Sequence, residues 1–376
     1  MKIIVIGAGV IGMACAWRLA AAGAQVELLE SRDCGQGATL GALGALWPAS
    51  PLALGPLQEL HRASLWQFEA FAAELSAAAG LPVTFRRQGR LELLNSEKAA
   101  ARAAVEAPAA CARWPAFAGA LPVMELLTPA QIAARWPQLA PARHAGLLCR
   151  ATAQVSVPEL VAALCAACAK AGVILYSHTP AVALEIRGDR VAGVRTAQGL
   201  LEADAVLAAT GAWTALFAPE LASIAPIRPA KGQGIALKTP AGVRLETIVK
   251  SGSIYLIPWH TEAGGEILVG STTEPEADFD ETPTPAARET LLAGAAGIVP
   301  ALRNAVVLRH WAGLRPQNPA KRHPPIMGPH PKIANLYVCA GHFKTGIGLA
   351  PRVSRLMCES ILDGALAQAL TPFCPR

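Results

Sequence analysis

Short apolar runs separated by glycine-rich or polar turns recur along the chain, and they alternate with longer segments of helical periodicity. The first run, residues 2–6, is almost entirely β-branched, which is typical of a strand buried on both faces. A helical segment follows from Met13 to Ala22 and ends at Gly23, and a second apolar run covers residues 26–29. This order predicts a βαβ unit at the start of the chain.

The apolar runs change character twice. Near residue 150 the chain returns to buried runs and a helix, with Ser156 and Glu159 in a capping-box pattern before it. From residue 226 the strands predict a larger antiparallel sheet, with Arg315 expected just past its last strand. The expected fold class is α/β (α+β, two-domain): a Rossmann-type nucleotide-binding domain interleaved with an antiparallel-sheet substrate domain. The expected boundaries are 1–84, 149–225 and 320–376 for the first domain, and 85–148 with 226–319 for the second.

The first turn carries a dinucleotide-binding pattern. Gly7, Gly9 and Gly12 form G-x-G-x-x-G directly after the first strand, and Glu30 ends the second. Gly7 permits the tight turn, Gly9 lets a pyrophosphate approach the backbone, and Gly12 permits close packing of helix and strand. A carboxylate at Glu30 can bind ribose hydroxyls and disfavours the 2′-phosphate of NADP. Alone, this unit leaves NAD and FAD equally open.

Three later stretches favour a flavin. Residues 38–45 are small and uncharged, which suits a backbone that passes close to a flat ring system. A buried run at 205–209 ends at Gly211, a second place where a cofactor can contact backbone. Residues 341–348 form a glycine-rich turn before the last helix, and a helix N-terminus is a ready anion site. A flavin needs such additional contacts, whereas NAD does not.

Composition narrows the class of protein. The chain has 376 residues and a net charge of +6, with no block of like charges that would suggest nucleic-acid binding. The uncharged stretch from Cys34 to Gln58 is too rich in glycine and proline for a membrane-spanning helix. Nine cysteines without a disulfide-framework spacing favour a reduced, cytoplasmic protein. Cys165 and Cys168 lie inside a helical run and are interpreted as core residues, and no ligand spacing predicts a metal site.

With these motifs in view, the chain resembles the D-amino-acid oxidase superfamily of flavoproteins, most closely the glycine oxidases. The resemblance covers nearly the full length and depends on the first fingerprint, on 206–213, 229–233 and 311–316, and on the loop 341–347. It implies non-covalent FAD and a sheet domain that roofs the flavin. It also implies oxidation of glycine or another small secondary or D-amino acid by hydride transfer, with oxygen as the expected acceptor.

The resemblance also implies roles for individual residues. Arg315 corresponds to the arginine that binds the substrate carboxylate, Tyr255 to the tyrosine that assists it, and Lys344 to a neighbouring carboxylate or product contact. No catalytic base is nominated, because the flavin performs the oxidation. The expected FAD contacts are Gly7, Gly9, Val10, Ile11, Gly12, Glu30, Ser31, Ala38, Thr39, Leu43, Gly44, Ala45, Ala181, Gly211, His342, Phe343, Lys344, Thr345, Gly346, Ile347 and Gly348.

Three positions depart from the glycine-oxidase pattern. Lys344 replaces an arginine, Thr273 a methionine and Ser253 a histidine. The run 270–274 also resembles subunits of hydrogen cyanide synthase and of opine oxidases, so a dehydrogenase that passes electrons to a partner remains the alternative. A third reading, a non-catalytic FAD-binding subunit, is disfavoured by the retention of Arg315 and Tyr255. Homo- and hetero-oligomers both remain open.

Overall fold

The structure is a computed structural model, and it describes residues 1–47, 52–114, 122–261, 264–320 and 323–376. Within these ranges the helices are α1 Val10–Ala21, α2 Pro56–Ala79, α3 Glu97–Cys111, α4 Pro129–Arg135, α5 Val157–Lys170, α6 Thr214–Phe217, α7 Pro219–Ala222, α8 Pro285–Ile298 and α9 Gly346–Leu362. The strands are β1 Lys2–Ile6, β2 Gln25–Leu29, β3 Ala45–Leu46, β4 Phe85–Arg86, β5 Arg90–Leu93, β6 Met124–Leu127, β7 Gly146–Cys149, β8 Ala153–Val155, β9 Ile174–Tyr176, β10 Ala181–Arg187, β11 Arg190–Thr196, β12 Gly199–Glu202, β13 Ala205–Ala208, β14 Arg228–Lys238, β15 Ile248–Ser251, β16 Ile254–Thr261, β17 Gly264–Gly270, β18 Val307–Gln317, β19 Ile326–Pro329 and β20 Leu336–Ala340.

A six-stranded sheet in the order β19-β20-β13-β1-β2-β9 forms the nucleotide-binding half of the fold. Its strands are parallel except for β19, which runs antiparallel to β20. Ile3, Ile4 and Val5 of β1 are fully buried, because helices α1, α5 and α9 cover one face and a second apolar cluster covers the other. The βαβ unit and the last strand and helix expected from the sequence are confirmed.

An eight-stranded sheet in the order β18-β14-β17-β16-β15-β5-β7-β6 faces this half. Strands from 90–149 and from 228–317 therefore join in one sheet, and helix α8 packs Leu291 and Ala295 against it. The mixed α/β class is confirmed. One pair departs from the antiparallel expectation, since β15 and β5 are parallel. The expected domain boundaries remain a prediction.

Two small sheets complete the described fold. One, β10-β11-β12, is an antiparallel meander beside the six-stranded sheet. The other, β3-β8-β4, fixes the uncharged stretch after Cys34, with Ala45 paired to Gln154. The remainder of that stretch is turn or loop as far as Trp47, and its residues 48–51 lie outside the described ranges. No helix in the described ranges is long and apolar enough to cross a bilayer.

Two local expectations are corrected. Ser156 stands at the N-cap of α5, but its side chain makes no capping bond, and Glu159 instead accepts a hydrogen bond from the Thr84 amide at 2.6 Å. Arg315 lies inside β18, because β18 extends six residues beyond the apolar run that ended at Trp311. The alternation was hidden there because glycine and proline interrupt it.

Candidate functional site

A cavity of about 790 Å³ lies between the two large sheets. It opens at the carboxyl ends of β1, β13 and β20, where ligands bind in parallel sheets of this kind. The eight-stranded sheet closes its other side with residues of β14, β15, β16 and β18. The volume falls within the range of about 300–1,000 Å³ that is usual for small-molecule sites.

The three glycines of the fingerprint have different structural roles. Gly7 has φ +102°, and a Cβ there would lie 2.6 Å from the Ala209 carbonyl oxygen. A Cβ on Gly12 would lie 1.8 Å from the Gly7 oxygen, so Gly12 permits packing. Gly9 meets only the Thr39 hydroxyl at 3.5 Å and borders the cavity. Among the expected cofactor contacts, Gly12 is corrected, because it does not line the cavity.

Glu30 is held at the edge of the cavity by main-chain donors. Its Oε2 accepts a hydrogen bond from the Ala8 amide at 2.8 Å, and its Oε1 accepts one from the Arg32 amide at 2.9 Å. The Ser31 hydroxyl donates to the same Oε1 at 3.1 Å. These bonds fix the carboxylate beside the start of α1, where it can still accept hydrogen bonds from ribose hydroxyls.

The stretch 38–45 lines the middle of the cavity. The Thr39 hydroxyl accepts a hydrogen bond from the Val10 amide at 3.0 Å, which joins this stretch to the start of α1. A Cβ on Gly41 would lie 2.9 Å from the Gly313 Cα, so the two backbones touch. A Cβ on Gly44 would lie 2.2 Å from the Val155 oxygen. Small residues are therefore needed here for contact between protein segments as well as for a ligand.

The loop before α9 lines the opposite side. His342 is 4% exposed, and burial, with the nearby His61, lowers its pKa from 6.5 to about 4, so the imidazole is neutral near pH 7. Its carbonyl oxygen accepts hydrogen bonds from the Thr345 amide and hydroxyl, at 3.0 and 2.9 Å.

Neither α1 nor α9 has an acidic residue in its first turn. Both helix N-termini therefore present positive ends to the cavity.

These observations fit a dinucleotide with a charged middle and an aromatic end. The start of α1 suits a pyrophosphate, Glu30 suits a ribose, and the small residues of 38–45 leave space for a flat ring. Ala181 and Gly211 also line the cavity, and a Cβ on Gly211 would meet nothing within 4 Å. The remaining expected contacts at the cavity wall are Val10, Ile11, Ala38, Leu43, Ala45, Phe343, Lys344, Gly346, Ile347 and Gly348.

Arg315 lies on the sheet side of the cavity. Its Nη1 donates to the Thr272 oxygen at 3.0 Å and to the Lys231 oxygen at 3.4 Å, and its Nη2 donates to the Ser271 hydroxyl at 2.9 Å. A Cβ on Gly232 would lie 2.0 Å from both guanidinium nitrogens. Burial lowers the pKa of Arg315 below its ordinary value. Neutral oxygens therefore position a charged fork that borders the cavity.

Tyr255 lies beside this fork. Its hydroxyl is hydrogen-bonded to Ser271, the same side chain that accepts from Arg315. Burial raises the pKa of Tyr255 above 10, although the Arg315 charge acts in the opposite direction. A Cβ on Gly270 would lie 2.7 Å from the ring and the hydroxyl oxygen, and the Trp47 ring packs edge-on at 4.9 Å. The tyrosine is thus fixed with its hydroxyl as a neutral donor.

Lys344 extends from the α9 loop toward the same sheet. Its Nζ donates to the Thr273 hydroxyl at 2.9 Å and lies 5.1 Å from the Phe343 ring centroid. Loss of hydration, with the positive charges of Arg315 and Lys250, lowers its pKa from 10.5 to about 8. Two departures from the glycine-oxidase pattern, Lys344 and Thr273, therefore contact each other.

The structure brings together Arg315, Tyr255 and Lys344 with every expected cofactor position except Gly12. Sequence reasoning missed several cavity residues. Gly232 lies in the run 229–233 and Ser271 in the run 270–274, but nothing in the sequence distinguishes either residue from its neighbours. Other residues missed include Arg32, Trp47, Trp213 and Lys250. The sequence shows that these residues are polar or aromatic. The direction in which their side chains point, however, depends on the pairing of strands that are distant in sequence.

Comparison with known proteins agrees with this geometry. The model of the FAD-dependent oxidoreductase family matches residues 2–360. Glycine oxidase of Geobacillus kaustophilus strain HTA426 is 30% identical over 98% of this chain and 95% of its own. Glycine oxidase of Pseudomonas putida strain KT2440 is 33% identical over 97% of this chain and 95% of its own. The crystal structure of glycine oxidase from Geobacillus kaustophilus superimposes with a TM-score of 0.88 at 27% identity, covering 100% of this chain and 98% of that one. The chain belongs to the family of FAD-dependent oxidoreductases.

Proposed function

We propose that the protein oxidises glycine or another small secondary or D-amino acid to its imine, with reduction of oxygen to hydrogen peroxide. Water then hydrolyses the imine to the 2-oxo acid and ammonia, or an amine in place of ammonia where the substrate is a secondary amino acid. The observation that carries this proposal is the pairing of Arg315 and Tyr255 through Ser271 on the cavity wall. A planar guanidinium and a neutral phenol beside it suit one carboxylate. The names of the relatives that match along the full length support the same substrate class.

The residues of this chain bind and orient the substrate. The Arg315 fork holds the carboxylate, and the Tyr255 hydroxyl donates to it from one side, so that the α-carbon faces the cavity. FAD, which the start of α1, Glu30 and the stretch 38–45 would hold, would supply the two-electron oxidation, with oxygen as the expected acceptor. We expect the amine to bind in its neutral form, and no side chain of the site is assigned as a base.

Spectroscopy with anaerobic substrate provides the test. The flavin-loaded protein is mixed with glycine, sarcosine, D-alanine and D-proline, and the visible flavin band is followed. We expect at least one of them to bleach the band, and ethylamine, which lacks the carboxylate, to leave it unchanged. An unchanged band with all four amino acids would contradict the proposal.

The acceptor is tested separately. Air is admitted to the reduced protein, and oxygen uptake and hydrogen peroxide are measured together. We expect rapid uptake with one peroxide formed for each substrate oxidised. Slow reoxidation in air, together with rapid reoxidation by an artificial acceptor dye, would instead identify a dehydrogenase, the alternative that the run 270–274 left open.

A further inference from the structure

A row of paired residues crosses the eight-stranded sheet under the cavity. Gly270 of β17 pairs with Tyr255 of β16, Tyr255 pairs with Lys250 of β15, and Lys250 pairs with Glu92 of β5. Residues directly opposite each other on neighbouring strands project from the same face, about 5 Å apart. Lys250 is therefore next to Tyr255, on the face of the sheet that borders the cavity, and it lines the cavity itself.

The ammonium of Lys250 is only partly neutralised. Glu92 forms an ion pair with it, but the same carboxylate accepts a hydrogen bond from Arg90 Nη2 at 2.9 Å. Arg90 is 2% exposed, and its guanidinium lies 4.9 Å from the Trp47 ring centroid. One carboxylate is shared by two cations, so this group of three side chains carries one excess positive charge.

Further positive charge lies on the other side of Tyr255. The hydrogen-bond partners of Arg315 are neutral oxygens, and Lys344 donates to the neutral hydroxyl of Thr273. Glu274 is the acid near Arg315, and its carboxylate already accepts from the Gln233 amide. A substrate with a single carboxylate offsets the charge near Arg315 and leaves the excess at Lys250 in place. Uncompensated charge next to a ligand site favours a ligand of opposite charge.

The two cationic groups border the same cavity from different strands of the sheet. The Arg315 guanidinium lies against Gly232 of β14 and Ser271 next to β17, whereas Lys250 is on β15. Two strand spacings, about 10 Å between backbones, separate β17 from β15, and β14 lies one spacing further. Arg315 and Lys250 both line the cavity, and both charges act on Lys344, so a small ligand with two carboxylates can contact the two cations together.

We infer that Lys250 is a specificity-determining residue that binds a second carboxylate, so that the preferred substrates are small dicarboxylic amino acids. This inference depends on the proposed function, because Arg315 must hold the first carboxylate. Tyr255 lies between the two anion contacts and can donate to either. Lys250 then distinguishes a dicarboxylic substrate from the same molecule with a methyl group in place of the distal carboxymethyl group.

Binding is the first measurement, because it does not require turnover. The flavin-loaded protein is titrated by calorimetry with methylthioacetate and with thiodiacetate, which differ only in the second carboxylate and have no amine to oxidise. We expect the wild type to bind thiodiacetate roughly tenfold to a hundredfold more tightly, as a charge-assisted contact would give. Lys250→Met removes this preference and leaves methylthioacetate affinity unchanged. Lys250→Arg keeps the preference, and Lys332→Met, at an exposed lysine, has no effect.

Turnover provides the second measurement. Sarcosine and iminodiacetate are compared by kcat/KM, since one is the other with an added carboxylate. We expect a preference for iminodiacetate in the wild type that Lys250→Met removes. Equal wild-type affinity for the two thioethers, or an equal loss for both in Lys250→Met, overturns the inference even if sarcosine is oxidised. Tight thiodiacetate binding with no oxidation of either amine supports the second anion contact and contradicts the proposed function alone.

Discussion

The guanidinium of Arg315 occupies the space in which a side chain on Gly232 would begin. A Cβ on Gly232 would lie 2.0 Å from each terminal nitrogen, although the two residues are 83 positions apart in the sequence. The paired strands β14 and β18 place Gly232 opposite Gly313, so that the arginine side chain can lie across the neighbouring strand. The position of the Arg315 guanidinium therefore depends on the absence of a Cβ at residue 232.

Gly232→Ala is expected to weaken carboxylate binding nearly as much as Arg315→Met. Either change removes the Arg315 guanidinium from its position. The loss of a buried, hydrogen-bonded charge contact should raise KM about 100-fold. Steady-state kinetics with the best substrate measure this. Gly297→Ala is the matched control, because a Cβ there meets nothing within 4 Å. A Gly232→Ala enzyme with wild-type KM would contradict the position of Arg315.

Tyr255→Phe is expected to raise KM about tenfold and leave the visible spectrum of the bound flavin unchanged. The variant loses one hydroxyl donor, a change worth on the order of 1 kcal/mol. Ser271 retains its contact with Arg315. Tyr337→Phe serves as the control, because the Tyr337 hydroxyl makes only a long 3.5 Å contact with the Ser360 oxygen. Equal KM values for the two variants would remove Tyr255 from the substrate site.

The fingerprint glycines are expected to separate folding from cofactor binding. Gly12→Ala places a Cβ 1.8 Å from backbone and should destabilise the protein by at least about 3 kcal/mol, with or without FAD. Gly9→Ala meets protein only at 3.5 Å, so the apoprotein should keep its melting temperature and bind FAD poorly. Thermal unfolding of apoprotein and FAD titration distinguish the two. A destabilised Gly9→Ala apoprotein would show that the residue packs against protein.

Lys344 is expected to give substrate binding an alkaline limit. Its pKa is lowered to about 8, so the side chain is charged below that pH and loses its charge above it. Affinity for a carboxylate ligand should therefore decline as the pH rises through about 8. Lys344→Arg should move the decline to higher pH, and Lys344→Met should bind weakly with no such limit. Titration of methylthioacetate between pH 6 and 10 measures this, and identical profiles in all three proteins would contradict it.

His342 is expected to make the protein sensitive to acid. Its folded-state pKa of about 4 lies below the ordinary 6.5, so the unfolded chain binds a proton that the folded one excludes. The stability is complete above pH 6.5 and is lost as the pH falls toward 4, by up to about 3 kcal/mol. Unfolding by urea at several pH values should show a weaker acid dependence in His342→Asn. His144→Asn, at a histidine that does not line the cavity, is the control.

Local patterns predicted the parts of the site that one segment forms by itself. The fingerprint and the α9 loop each consist of a strand, a turn and a helix start, and Glu30 directly follows the second strand of the first unit. Spacing alone therefore identifies them. The roles of Arg315 and Tyr255 were predicted from the resemblance to the D-amino-acid oxidase superfamily. The positions of these two side chains depend on Gly232 and Gly270, which matter only because β14 pairs with β18, and β16 with β17, in one particular register.

Lys250 shows why the remaining residues could not be predicted. Its neighbours in the chain are apolar or small, and nothing in that segment differs from a sheet lysine exposed to solvent. Its role depends on pairing with Glu92, 158 residues away. The β15–β5 pair is the parallel one in a sheet that the sequence predicted to be antiparallel, so the register that places Lys250 was also the least predictable.

The described strands pass from the six-stranded to the eight-stranded sheet and back twice along the chain. Neither sheet is encoded by one continuous stretch of the gene, so a single crossover with a relative cannot exchange one sheet and keep the other. Substrate preference in such a protein changes most readily one residue at a time, at positions such as Lys250, while the cofactor half is inherited intact. Recombination libraries built on this chain would need at least four junctions to transplant the eight-stranded sheet as a unit.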